Sequence, residues 1–170
     1  MGRRTNKQEE RNMAIFDKMK KSVNDAVNPI GTENKNLVTL TSFKKITLRV
    51  IGMRYNIEYE ILNKPPKAVL SLYQISYRDG SNKRVIEKSA VTDTEIMLEI
   101  FNLCKIINWN GFQGNHPKDV KDGVMFTFRA EVNEGQIVYA EGSENFPQGY
   151  YDLVSALNLI LENNGLYSSQ

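Results

Sequence analysis

Residues 8–27 place apolar side chains at every third or fourth position, the spacing of one face of an α-helix. The face consists of Met13, Phe16, Met19, Val23 and Val27. The pattern stops at Asn28-Pro29, because a proline drives the residue before it out of the helical region. The sequence therefore predicts an amphipathic N-terminal helix, followed by a linker over residues 31–36.

From about residue 37 the apolar positions recur at every second residue, which is typical of strands with one buried face. The alternation runs through residues 46–50, changes phase at Gly52 and resumes over residues 55–61, which predicts a tight turn or a bulge at Gly52-Met53. Residues 68–77 are apolar on both faces, as in a central strand. A more charged strand at residues 83–89 is predicted to form an edge of the sheet.

Apolar residues cover most of the circumference of a helix predicted to begin after Thr92 or Asp93 and to continue through Ile107. Gly111 is expected to end it in the left-handed conformation. A polar loop then leads to two alternating segments joined by a turn at residues 133–135, which predicts a hairpin. The last apolar face, from Tyr150 onward, predicts a C-terminal helix.

These elements predict an α+β fold, in which an antiparallel sheet of about six strands carries helices mainly on one face and follows an N-terminal amphipathic helix. Residues 1–30 are expected to form a basic helix or arm, residues 37–165 a single α+β domain, and residues 166–170 a tail.

The chain has 170 residues, of which 41% are hydrophobic and 25% charged, so one domain of this size buries a core without disulfides or a structural metal. It contains one cysteine and one histidine. These counts exclude a disulfide framework and a Cys/His zinc site, together with most Cys-His and Ser-His catalytic arrangements. We therefore expect no metal and no cofactor, and the sequence favours a protein that is not an enzyme.

The 22 basic and 20 acidic residues are too balanced to favour nucleic acid as the partner of the whole chain. Residues 1–21 alone are basic, with seven basic and three acidic side chains, so this arm either contacts phosphates or anionic lipid or serves as a solubilising tail. The longest apolar run, residues 137–140, is far shorter than a transmembrane helix. No secretory signal is recognised, and the lone Cys104 lies in an apolar segment, so a cytoplasmic location is expected.

Two polar and aromatic strings, residues 109–112 and 142–147, lie at predicted helix ends. With the loop between them they supply the candidate ligand-binding residues Trp109, Phe112, His116, Asp122, Ser143 and Asn145. Core packing by the aromatic residues, turn chemistry at Asp122 and simple loop exposure of His116 are the competing interpretations. The sequence shows no convincing partner for His116 and no recognisable nucleophile motif.

Trp109-Asn-Gly-Phe, the Asp122-Gly strand start, and Gly142-Ser-Glu-Asn-Phe-Pro before the last helix together resemble a family of small uncharacterised bacterial proteins. That family has a Trp-containing helix end, an Asp-Gly strand start and a Gly-Ser-x-x-Phe-Pro type of turn. The resemblance departs where Glu144 stands between Gly-Ser and Asn145. It supports the fold prediction and implies no activity, cofactor or catalytic residue.

Three functions remain open, and the first is favoured. In the first, the chain is a non-enzymatic protein-binding or regulatory module, which docks a protein partner or a second copy through the edge strand or through Met13, Phe16, Met19 and Val23. In the second, a small-ligand or enzyme site lies between residues 109–122 and 142–147, which requires the two loops to converge. In the third, the basic N-terminus docks weakly on nucleic acid or lipid.

Overall fold

The computed structural model describes residues 39–78, 81–164 and 166–167, together with Asp17. Apart from Asp17, the predicted N-terminal helix lies outside the described residues. The same is true of its four candidate partner-binding side chains, Met13, Phe16, Met19 and Val23.

The described strands form one sheet. They are β1 (Phe43–Gly52), β2 (Tyr55–Lys64), β3 (Lys67–Arg78), β4 (Ser81–Asp93), β5 (Phe112–Gly114), β6 (Met125–Val132), β7 (Gln136–Ser143) and the two-residue β8 (Leu166–Tyr167). Their order across the sheet is β5-β7-β6-β1-β2-β3-β4-β8. The helices are α1 (Thr94–Leu103) and the C-terminal α2 (Tyr150–Asn164), and single 3-10 turns occupy Ile106–Trp109 and Asn133–Gly135.

The predicted fold class, an antiparallel sheet of about six strands, is wrong. The sheet has more strands and is mixed, because β5 runs parallel to β7 while the other neighbouring strands are antiparallel. β5 is only three residues long, and a period of two cannot be recognised over so short a segment. The sequence of β5 therefore predicts only the start of a polar loop. Residues 166–167, predicted as part of a tail, pair with Lys88 and Ser89 of β4.

Several local predictions are confirmed. The phase change at Gly52 is the turn of the β1–β2 hairpin, where Gly52 pairs with Tyr55. A Cβ at Gly52 would lie 2.6 Å from Cε1 of the Tyr55 ring, so the close approach of this ring requires glycine. β3 is a central strand between β2 and β4, and the turn at Asn133–Gly135 joins β6 to β7.

The helix predicted to reach Ile107 is shorter than expected. α1 ends at Leu103, and Lys105 adopts the left-handed conformation with φ of 53° before the 3-10 turn begins. Gly149 packs against this break, since a Cβ there would lie 3.0 Å from the Cα of Cys104. Asp93 occupies the N-cap position of α1 but makes no capping hydrogen bond, because its carboxylate pairs with Lys67 Nζ at 2.6 Å.

The core lies between one face of the sheet and the helices. Alternate residues of the central strands point into it, including Ile46, Leu48, Ile61, Leu70 and Phe128, and the helices contribute Met97, Phe101, Leu153 and Leu157. The positions between them on the central strands carry mostly charged and polar side chains on the opposite face of the sheet. This alternation is what the period of two in the sequence predicts.

Candidate functional site

The two segments that the sequence singled out meet at one end of the sheet. The parallel pairing of β5 with β7 sets Gly114 beside Gly142, so the loop of residues 115–124 starts next to the end of β7. A Cβ at Gly114 or Gly142 would collide with the backbone carbonyl of Asn145. Glycine at both positions therefore lets the turn after β7 lie directly against β5.

His116 and Ser143 form a hydrogen-bonded pair across this junction. Nδ1 of His116 lies 2.7 Å from Oγ of Ser143, and Nε2 lies 2.5 Å from the backbone carbonyl oxygen of Val120. A carbonyl oxygen only accepts, so Nε2 carries the ring proton. In the neutral ring Nδ1 is then the acceptor, and the Ser143 hydroxyl donates to it. His116 is exposed, as the loop interpretation expects, but the expectation that it has no convincing partner is wrong.

Gly123 and Glu144 hold the loop in this position. A Cβ at Gly123 would lie 2.6 Å from Cε1 of His116 and 2.6 Å from Cγ of Glu144, so both side chains pack over the bare glycine backbone. The Glu144 N–H donates to the carbonyl of Val124 at 2.9 Å, and the Val124 N–H donates to the Glu144 carboxylate. This double link fastens the end of the loop to the end of β7.

A cleft of about 520 Å³ opens beside the His116–Ser143 pair. Its apolar side includes Ile51 of β1 and Met125 of β6, which lie opposite each other, and Met125 in turn lies opposite the polar Ser143 of β7. Met53 and Met125 are 72% and 48% exposed, so their side chains are open to solvent at the cleft. Its polar side consists of His116, Lys121, Asp122 and Ser143.

A second depression of about 360 Å³ adjoins the cleft and shares Ile51, Met125 and Ser143 with it. Its remaining lining is mainly polar, and comes from Gln113, Asn115, Thr127 and Glu141 among others. Ser143 lies at the boundary of the two. An apolar surface with a few convergent polar groups is the usual composition of a small-molecule site.

The structure separates the six candidate ligand-binding residues into two groups. His116, Asp122 and Ser143 line the cleft together. Trp109 is only 2% exposed, and the centre of its ring system lies 4.8 Å from the centre of the Phe128 ring. Its indole N–H donates to the Gln148 carbonyl at 2.8 Å. Phe112 is half-buried, with its ring 6.2 Å from that of Phe126. The Asn145 side chain is exposed and does not line the cleft. Only the backbone carbonyl of Asn145 takes part, by packing against Gly114 and Gly142.

Sequence reasoning missed the apolar side of the cleft and Lys121. Ile51, Met53 and Met125 belong to a hairpin and a strand far apart in the chain, and only the β1–β6 register brings them together. The one available signal was the apolar Met53 directly in a predicted turn, where polar residues are usual.

Cys104 is unsuited to be a nucleophile. Its side chain is buried, as the apolar pattern around it predicts. Burial, together with the negative charge of Asp152, raises the pKa of the thiol to about 12. Within residues 39–78, 81–164 and 166–167, no three His, Cys, Asp or Glu side chains lie close enough to hold a metal ion.

The charged face of the sheet is internally paired. Glu60 accepts from Lys45 Nζ at 2.6 Å and from Arg84 at 3.4 Å, and Arg84 also binds Glu58 at 2.7 Å. The guanidinium of Arg84 lies 4.0 Å from the centre of the Tyr73 ring. Burial by itself raises the pKa of Glu60, but the hydrogen bonds and charges of Lys45 and Arg84 outweigh it and hold that pKa below its ordinary value.

The chain matches no known family model, no curated protein and no solved structure. The resemblance to small bacterial proteins stays a prediction. No helix among the described residues has the length and apolar character needed to cross a membrane.

Proposed function

We propose that the protein binds a small molecule in the cleft between residues 115–124 and the end of β7. The hydrogen bond between His116 and Ser143 carries this proposal, since it places two polar side chains from separate loops beside exposed apolar residues. The two loops converge, as a shared ligand site requires.

The lining specifies the class of ligand. Lys121 presents a positive charge, which suits a carboxylate or another oxygen-rich head group, and Asp122 adds one negative charge to the same cleft. Met53 and Met125 present flexible apolar side chains that adapt to a short hydrocarbon chain. The ligand is therefore a small amphipathic molecule, with its polar end at Lys121 and its apolar end at the methionines.

Calorimetric titration of the full chain with sodium hexanoate tests the proposal. Lys121→Ala is expected to weaken binding by about two- to fivefold, as for loss of one exposed charge contact. His116→Ala is expected to weaken it by about two- to fivefold, because it removes a ring that lines the cleft and holds Ser143 in place. Lys118→Ala is the matched control, because Lys118 is exposed in the same loop but does not line the cleft. Absence of saturable binding, or equal effects of the two lysine variants, contradicts the proposal.

A second function, as a non-enzymatic protein-binding or regulatory module, is supported by the outer edge of β4. β8 covers only Lys88 and Ser89 of this strand, so the outer side of residues 82–87 pairs with no strand among the described residues. Val85 and Ile86 are 45% and 42% exposed there. An edge strand with unpaired backbone groups recruits another strand.

A second copy of the chain fits this edge. Antiparallel pairing of two β4 strands about Val85 brings Lys83 of each copy near Glu87 of the other, which is the bulge residue that β3 leaves unpaired, and so gives two contacts between opposite charges. Sedimentation of the full chain over a range of concentrations tests for this dimer. Lys83→Glu is expected to weaken it, and the double variant Lys83→Glu/Glu87→Lys to restore it. A monomer at all concentrations, or failure of the double variant to restore a dimer that Lys83→Glu weakens, contradicts this arrangement.

The buried free thiol of Cys104 supports a cytoplasmic location for either function, because reducing compartments keep such thiols unpaired. Docking of the basic residues 1–21 on nucleic acid or anionic lipid stays a prediction. Its test is an affinity that falls steeply as salt is raised.

A further inference from the structure

We infer that Ser143 is a nucleophile that accepts acyl groups from small carboxylic esters, with His116 as its general base. The inference rests on the proposed cleft and assigns chemistry to the pair that lines it. Its geometric basis is the chain of contacts from the Ser143 hydroxyl to His116 and from His116 to the Val120 carbonyl.

An activated serine needs a base within hydrogen-bonding distance and a third group that orients the base. The distance of 2.7 Å between Ser143 Oγ and His116 Nδ1 meets the first requirement. The Val120 carbonyl meets the second, because it fixes the ring proton on Nε2 and leaves the lone pair of Nδ1 facing the hydroxyl. When Nδ1 takes up a proton, the same carbonyl stays bonded to the Nε2 proton and stabilises the positive ring.

The reaction proceeds in two balanced steps. In the first, Ser143 Oγ forms a bond to the ester carbonyl carbon while its proton passes to His116 Nδ1. The bond to the alcohol oxygen then breaks, and that oxygen leaves with the proton from Nδ1. In the second, His116 removes a proton from water, the resulting hydroxide attacks the acyl-serine, and Ser143 regains its proton as the carboxylic acid departs.

The surroundings of the pair select the substrate class. Ile51, Met53 and Met125 form an apolar surface beside Ser143, which accommodates a short acyl chain. Lys121 lines the same cleft and brings a positive charge to it, as Asp122 brings a negative one. Ser143 is half-buried and at the boundary of two depressions, so the acyl chain and the leaving alcohol have separate spaces.

Covalent labelling of the full chain with an alkyl fluorophosphonate, followed by intact mass and peptide mapping, tests this inference. One label is expected, on Ser143. His116→Asn separates a basic role from a structural one, because the asparagine oxygen still accepts from Ser143 but does not take up the proton. This variant is expected to label at least about 100-fold more slowly, the usual contribution of a general base.

Ser143→Ala is expected to abolish labelling, and Ser42→Ala, an exposed serine preceding the opposite end of β1, to leave it unchanged. Absence of label on Ser143 in the folded wild type overturns the inference, as does an unchanged labelling rate in His116→Asn. Hexanoate binding measured on the same samples distinguishes the two proposals. If binding persists without labelling, the cleft is a binding site and only the nucleophile assignment fails. If neither occurs, both fail.

Discussion

Ser143 Oγ and His116 Nδ1 lie 2.7 Å apart, although 27 residues separate them in the chain. The contact depends on backbone pairing, because β5 and β7 run side by side and deliver both residues to the same end of the sheet. Gly123 then leaves room for the imidazole ring against the backbone. The contact between Ser143 and His116 therefore follows from the fold, and an experiment that detects it tests the β5–β7 pairing as well as the proposed site.

Gly123→Ala is expected to displace His116, because the added Cβ would lie 2.6 Å from Cε1 of the ring. Fluorophosphonate labelling of Ser143 should fall by about tenfold or more, as when a catalytic group is displaced by about 1 Å. Gly111→Ala is the comparison, since Gly111 has φ of 78° and nothing near its Cβ position. That variant should lose about 1 kcal/mol of stability yet label normally. Equal labelling rates in both variants would refute the role of Gly123.

Trp109→Phe is expected to destabilise the chain by about 1–3 kcal/mol, because a fully buried indole is replaced by a smaller ring and its hydrogen bond to the Gln148 carbonyl is lost. Tyr150→Phe is a matched control at the same aromatic cluster, since no hydrogen bond involves the Tyr150 hydroxyl among the described residues. Its unfolding free energy should stay within about 0.5 kcal/mol of the wild type. Urea unfolding followed by circular dichroism measures both, and equal losses would contradict the assignment of Trp109 to a structural role.

Cys104 should resist thiol reagents in the folded chain. Burial, with the charge of Asp152, raises its pKa to about 12, so almost no thiolate exists near neutral pH. Ellman's reagent is expected to detect no thiol in the native protein and one per chain in denaturant, since the sequence has a single cysteine. Rapid reaction under native conditions would show that this part of the core opens.

Glu60→Gln should reduce the dependence of the unfolding free energy on pH below neutrality. The folded-state pKa of Glu60 lies below its ordinary value of 4.5 because Lys45 and Arg84 outweigh the effect of burial. The ionised carboxylate therefore stabilises the fold above that ordinary value, and this contribution is lost as pH falls through the lower folded-state pKa. Urea unfolding from neutral pH down to about pH 3 should show a larger loss of stability in the wild type than in Glu60→Gln. Parallel curves would contradict the ion-pair network.

The long alternating segments could be predicted from the sequence because their patterns reflect local burial. The turn at Gly52, the hairpin at Asn133–Gly135 and the last helix are where the pattern predicts them. β5 could not be predicted, since three residues carry no readable period. The left-handed break at Lys105 lies next to Cys104, whose backbone packs against Gly149, and it has no glycine or proline to signal it.

In the candidate site, too, the sequence predicts the residue types but not which of them the fold brings together. His116, Asp122 and Ser143 were recognisable as polar residues in loops, but their convergence depends on the parallel pairing of β5 with β7. Trp109 and Phe112 have the same composition signal and belong to the core, because an aromatic at a helix end is equally suited to either place. The residue types indicate which side chains could bind a ligand, and the pairing of β5 with β7 determines which of them lie together in one site.

The most direct test of the Ser143–His116 pair is a long-range ¹H–¹⁵N spectrum of the imidazole ring in its neutral form. His116 is the single histidine in the sequence, so every imidazole signal belongs to this residue, and the long-range couplings distinguish Nδ1 from Nε2. The expected result is a proton on Nε2, with an Nδ1 signal that shifts in Ser143→Ala and stays in place in Ser42→Ala. A proton on Nδ1, or an Nδ1 signal unaffected by Ser143→Ala, would contradict the pairing on which the site is built.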